Sequence, residues 1–205
     1  MSGYSDVKAV TITADTVALD ADGISVAASV GNNAALTIGG ALASGGAVAL
    51  SHGRIVTILS AGNDAAKSFT VVGTDINGDS QTESITGANA GTATGAVFFL
   101  SIASITAVGN PAGNVSAGVN ASAADVVFAG RSRLKGIYLT STATAGTVDF
   151  LRTSPSGTSI LGLSSVGDAD ATRDVVIPDE GVLFTDGIYV EYTVSTFLTM
   201  TVFHA

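Results

Sequence analysis

Ser68-Phe69-Thr70-Val71-Val72-Gly73-Thr74-Asp75-Ile76-Asn77-Gly78-Asp79-Ser80-Gln81-Thr82-Glu83-Ser84-Ile85-Thr86 is the stretch on which the fold turns. Phe69, Val71 and Gly73 alternate with Thr70, Val72 and Thr74; after Asn77-Gly78, Thr82, Ser84 and Thr86 alternate with Glu83 and Ile85. Period-two alternation on both sides of an Asn-Gly pair predicts a β-hairpin closed by a two-residue type I′ turn. An isolated hairpin cannot bury its apolar face, so more strands must cover it.

The flanking sequence supplies them. Residues 54–59, 97–108, 136–140 and 188–194 are short runs rich in Val, Ile, Thr, Phe and Tyr, separated by Gly, Asn, Asp and Ser. Residues 147–152, 159–163, 174–177 and 182–184 continue the pattern, and the last of these follows the turn Pro178-Asp179-Glu180-Gly181. Gly136-Ile137-Tyr138-Leu139 is echoed by Gly187-Ile188-Tyr189-Val190. Residues 87–95 and 109–118 read as loops. In residues 196–203, Phe197, Thr199, Thr201 and Phe203 alternate with Leu198, Met200 and Val202, so both faces are apolar enough to be covered and the strand is expected to be central or intersubunit. Helix signals are nearly absent. The prediction is an all-β chain: two small antiparallel β-sandwich or barrel-like domains, residues 51–130 and 131–205, preceded by an Ala/Gly-rich N-terminal arm, residues 1–50, that orders against a neighbour.

Composition narrows the function classes. The 205 residues are 46% hydrophobic and only 12% charged, with 25 Gly and a mean hydropathy of +0.50; the charged share is about half the usual one. Such a chain suits protein-covered surfaces. Eight basic against seventeen acidic residues give a net charge of −9. Phosphate neutralisation needs a basic stripe, so no nucleic-acid partner is expected. The local exception is Arg131, Arg133 and Lys135, which alternation puts on one face of a strand, either as a solvated edge or as a patch for an acidic protein surface. Residues 24–51 are uncharged but broken by Gly and Asn, so no membrane span is expected. Residues 1–9 lack the pattern of a signal peptide, and synthesis in the cytoplasm is expected. With no Cys, neither disulfides nor thiolate metal sites are available.

The candidate chemistry dissolves on inspection. Asp75, Asn77, Asp79 and Glu83 imitate a calcium loop, but the Gly and the bidentate Glu that complete an EF-hand are missing; Asp20 and Asp22 before Gly23 are read likewise as a turn. His52 and His204 are the two histidines, and no Gly-x-Ser-x-Gly elbow accompanies them. Asp179 and Glu180 are adjacent in a turn, Asp168 and Asp170 lie in a polar loop, and without Trp there is little to stack on a sugar. Gly39-Gly40 and Gly45-Gly46 are followed by no Lys and make no phosphate loop. The expectation is a chain that is not an enzyme and holds no metal or cofactor.

Gly53-Arg54-Ile55-Val56-Thr57-Ile58, Ser60-Ala61-Gly62-Asn63-Asp64, Phe69 to Gly78, Thr82-Glu83 and Phe99 to Ile105 resemble a module of tailed-phage virion structural proteins. Arg133 to Tyr138, Ile177 to Phe184 and Met200-Thr201-Val202-Phe203 are similar to a second module of such proteins. The resemblance implies a component of the virion. Modest length and the absence of a fibre repeat favour a capsid decoration or cement protein on the outer surface of the shell, bound to the major capsid protein and stabilising it; the alternative is a tail or fibre component that contacts the host surface. Candidate partner-binding residues are Arg131, Arg133, Lys135 and the apolar Leu36, Ile38 and Leu42 of the arm. Phe197, Leu198, Met200 and Phe203 are the candidate oligomer interface, with a homotrimer expected.

Overall fold

The computed structural model describes residues 6–205, and they are all-β, without a helix. In chain order the strands are β1 (Lys8–Thr13), β2 (Asp20–Ala28), β3 (Ala43–Ser44), β4 (Ala47–Asn63) and β5 (Ser68–Thr74). There follow β6 (Ser80–Thr86), β7 (Asn89–Val108), β8 (Val115–Phe128), β9 (Ser132–Ser141) and β10 (Ala145–Arg152). The last are β11 (Thr158–Val166), β12 (Thr172–Val176), β13 (Val182–Phe184), β14 (Ile188–Thr193) and β15 (Phe197–His204). They form two antiparallel sheets within two compact bodies. One body is continuous, Val17–Ala123; the other is discontinuous, residues 6–16 with Ala124–Ala205.

In the continuous body the sheet order after β8 is β4, β7, β5, β6. The β5–β6 hairpin pairs in register from Ser68↔Thr86 to Thr74↔Ser80. Its turn differs from the two-residue form. The Gly78 N–H donates to the Asp75 carbonyl at 3.1 Å, the Asp75 N–H donates to the Asp79 carbonyl at 2.9 Å, and Gly78 sits at φ 88°. This is a three-residue loop, a tight turn followed by a left-handed glycine, and glycine takes that conformation without penalty. The Asp75 carboxylate, by accepting the N–H groups of Asn77 and Asp79 at 2.8 and 2.9 Å, favours the longer loop. The long strands β4 and β7 slip register between Ala49 and Arg54, between Ile55 and Thr57, and between Ser60 and Asn63. Such bulges bend and twist a strand pair. Val56, Ile58, Phe69, Val71, Phe99, Ile102 and Ile105 are buried together in the resulting core.

The predicted arm is part of that core. Ile24, Val30, Leu36 and Val48 are buried in the same cluster, and Ile38, Leu42 and Leu50 pack against it. The Leu36 N–H donates to the Ile105 carbonyl at 2.8 Å and the Ala107 N–H to the Ala34 carbonyl at 3.0 Å. The division at residue 50 is therefore corrected: residues 17–50 belong to the continuous body. Small residues allow the close approach that pattern reading missed, because a Cβ on Gly118 of β8 would lie 1.8 Å from the Asp20 carbonyl oxygen of β2. Residues 89–95, read as loop, begin β7, and β8 is a strand of Ala, Ser and Val that begins at Val115 inside another predicted loop.

In the discontinuous body, β1, β15, β9 and β12 form one sheet in that order, with β13 also on β9. The other layer follows β8 with β14, β10 and β11. The layers meet where the Tyr192 ring of β14 lies 4.9 Å from that of Phe197, and where Phe128 of β8 lies 5.1 Å from His204. Paired residues share a face, and the register Ile12↔Met200↔Leu139 runs inward, with all three buried. β15 is central, between β1 and β9.

Candidate functional site

The same parity that turns Ile12 and Met200 inward turns the threonines on either side outward. Thr13, Thr199, Thr140 and Thr172 pair across β1, β15, β9 and β12. The next row is Thr11, Thr201, Tyr138 and Asp174, and the third is Ala9, Phe203, Gly136 and Val176. Asp174 is the one charged side chain in these rows, on a chain of net charge −9. The Thr11 and Thr201 hydroxyls are hydrogen-bonded at 3.1 Å, and the Phe203 ring lies over Gly136, 3.7 Å from where a Cβ would stand. Tyr138 is 42% exposed and Val176 77%. Hydroxyls spaced by the strand repeat, with aromatic and aliphatic groups among them, make a face of low charge that can hydrogen-bond and exclude water.

The basic candidates are placed differently from their prediction. β9 is an interior strand, and the turn after β12 holds two of its cations. Arg133 Nη2 lies 3.2 Å from Glu180 Oε2, and Arg133 Nη1 donates to the Gly181 carbonyl at 3.3 Å. Lys135 Nζ donates to the Asp179 carbonyl at 3.1 Å. These two side chains fasten the Pro178–Gly181 turn instead of forming an open edge. Arg131 precedes the strand and lines a cleft of about 380 Å³ with Asp6, Val7, Lys8, Phe128, Ser132, His204 and Ala205. Inside it His204 Nδ1 is hydrogen-bonded to Ser132 Oγ at 3.0 Å. Burial, and then the Lys8 ammonium, hold the imidazole below its ordinary pKa and favour the neutral ring.

The apolar candidates are mostly interior. Leu36 is 4% exposed, and Ile38 and Leu42 flank the core of the continuous body, which leaves no free docking face there. Phe197 and Met200 are buried within their own body. Of the expected oligomer interface, Leu198 is 50% exposed and Phe203 lies half-buried on the outer plane. For the calcium-like loop, the Asp75 carboxylate faces the backbone of its own turn, whereas Glu83 accepts from the Ala96 N–H at 2.5 Å on another strand, so the oxygens do not converge. Among the described residues no three acid or imidazole groups gather as a metal site.

Two buried polar anchors escaped sequence reasoning. Arg54 is fully buried on β4; its guanidinium donates to the Ser122 carbonyl at 3.1 Å, to that of Val17 at 2.9 Å and to that of Asn120. In the discontinuous body the Tyr192 hydroxyl donates to Asp125 Oδ2 at 3.0 Å and accepts from the Asp15 N–H at 3.2 Å. Burial first, and then the Asp125 charge, push that phenol above its ordinary range. A lone Arg opening the apolar run Ile55-Val56-Thr57-Ile58 is the signal that could have revealed the first anchor; nothing local marks the second.

No protein-family model, curated protein or solved structure matches this chain.

Proposed function

We propose that the chain is a structural component of a tailed-phage particle, a decoration protein that sits on the outer surface of the capsid and binds the major capsid protein. The observation that carries this reading is the outer plane of the β1–β15–β9–β12 sheet, largely exposed and with Asp174 as the one charge in its three paired rows. A plane of such low charge favours a broad, permanent contact over a charge-steered transient one. The low charge of the chain and its resemblance to two virion modules support the same reading.

The test is to count and locate the chain in purified particles. Hundreds of copies on the shell are expected, while a handful at the tail would replace this reading with the tail or fibre one. Shells stripped of the protein should bind it again, and Tyr138→Asp or Thr201→Asp should weaken that binding at least about tenfold by burying an unpaired charge. Undiminished binding by both variants would remove the plane as the docking surface.

A further inference from the structure

The terminal strands of the two sheets are guarded unequally. β1 carries Lys8, β12 carries Arg173 and Asp174, and β6 carries Glu83; β11 has no charge and no proline in nine residues. It pairs with β10 on one side, and its exposed residues include Ile160 and Val166. An edge of this length without charge, proline or coverage is a template for another strand.

The sequence of β11 says which strand. Around Gly162 it is nearly palindromic, with Leu161 and Leu163 on either side. We propose that β11 pairs antiparallel with β11 of a second copy, on a two-fold axis through Gly162. This register sets Leu161 opposite the second copy's Leu163, and Ile160 opposite its Ser164. Leu161 pairs with Phe150 and Leu163 with Val148 on β10, both buried. The apolar row therefore continues without a break from Phe150 through Leu161 to the second copy's Leu163 and Val148. The charge on β10 level with the axis, Asp149, pairs with Gly162 and holds the Ser159 hydroxyl at 2.9 Å. Its counterpart stands three strand spacings away, about 14 Å, beyond the screening length of about 8 Å in physiological salt. The result is a closed, isologous dimer.

The chain contains no cysteine, which leaves a clean background for cross-linking. In an Ile160→Cys, Ser164→Cys double variant each thiol faces its counterpart across the dyad at the roughly 4.5–5.5 Å Cα spacing of opposed residues, within disulfide range. The two positions in one chain lie about 13 Å apart along the strand and cannot close on each other. Mild oxidation should give a reducible dimer, at least about tenfold more of it than either single variant gives, since a single cysteine has no partner in this register. In parallel, sedimentation at tens of micromolar should show a dimer for the native chain and a monomer for Ser164→Lys, with far-UV circular dichroism unchanged. A native monomer, an oligomer unmoved by both Ser164→Lys and Ile160→Lys, or cross-linking as strong in a single variant as in the double would each overturn the proposal. So would β11 cysteines that stay free in solution and become protected only on binding shells, because the strand added would then be the shell's.

Discussion

Each body has a buried polar anchor, and the two anchors are of opposite kinds. In the continuous body Arg54 carries a permanent charge into the interior and satisfies it with backbone carbonyls of Val17, Asn120 and Ser122. In the discontinuous body Tyr192 is a neutral hydroxyl between the Asp15 N–H and the Asp125 carboxylate. Both tie segments far apart in sequence, but the guanidinium has five donors in a rigid fork whereas the phenol has one donor and an acceptor. The second anchor is a group whose titration burial pushes upward.

The largest expected effect tests the charged anchor. Arg54→Met should destabilise the chain by about 3–5 kcal/mol, because several buried carbonyls lose their donor at once. Urea unfolding would measure it, and a loss under about 1 kcal/mol would show that the carbonyls find other partners. Next, Leu36→Ala should cost about 2–5 kcal/mol, the range for a core leucine, whereas exposed Leu198→Ala should stay within about 0.5 kcal/mol. Equal values would return residues 17–50 to the status of an arm.

The neutral anchor gives a smaller and pH-dependent effect. Tyr192→Phe should cost about 1–2 kcal/mol near neutrality by removing the hydroxyl that accepts from the Asp15 N–H and donates to Asp125. The folded-state pKa of Tyr192 is raised above the unfolded value of 10.0. As pH rises past that value the unfolded chain releases the phenol proton while the folded chain retains it, so stability present below pH 10 is lost above it. Thermal unfolding from pH 8 upward should show this fall in the native chain and a shallower one in Tyr192→Phe; parallel curves would detach the fall from this group. The smallest effect belongs to Arg133→Ala. Its partner Glu180 is 82% exposed, and a solvated ion pair contributes about 0–1 kcal/mol. A larger loss would mean that the carbonyl contact to Gly181 holds the turn.

Pattern reading succeeded where side chains were large and alternated. Residues 68–73 and 81–86 became β5 and β6, residues 182–184 became β13, and residues 196–203 became the central β15 within a residue at each end. It failed where residues were small. β2 and β8 dilute their Val and Ile with Ala, Gly, Asp and Asn, types depleted in strands, and they are strands because neighbouring backbones come close enough to pair. It also missed where two cations go: Arg133 and Lys135 had the spacing of an exposed basic stripe, and a turn more than forty residues away engages them both.

By itself the sequence determined the all-β class, the strand-and-turn cadence and the hairpin at Ser68–Thr86, because alternation and turn chemistry act between residues adjacent in the chain. Only the tertiary structure decided that residues 17–50 are core, that β9 is interior and that β11 is an unguarded edge. Strand order and register join residues far apart in sequence, and whether a strand becomes a covered interior or an open edge depends on which partners arrive on its two sides.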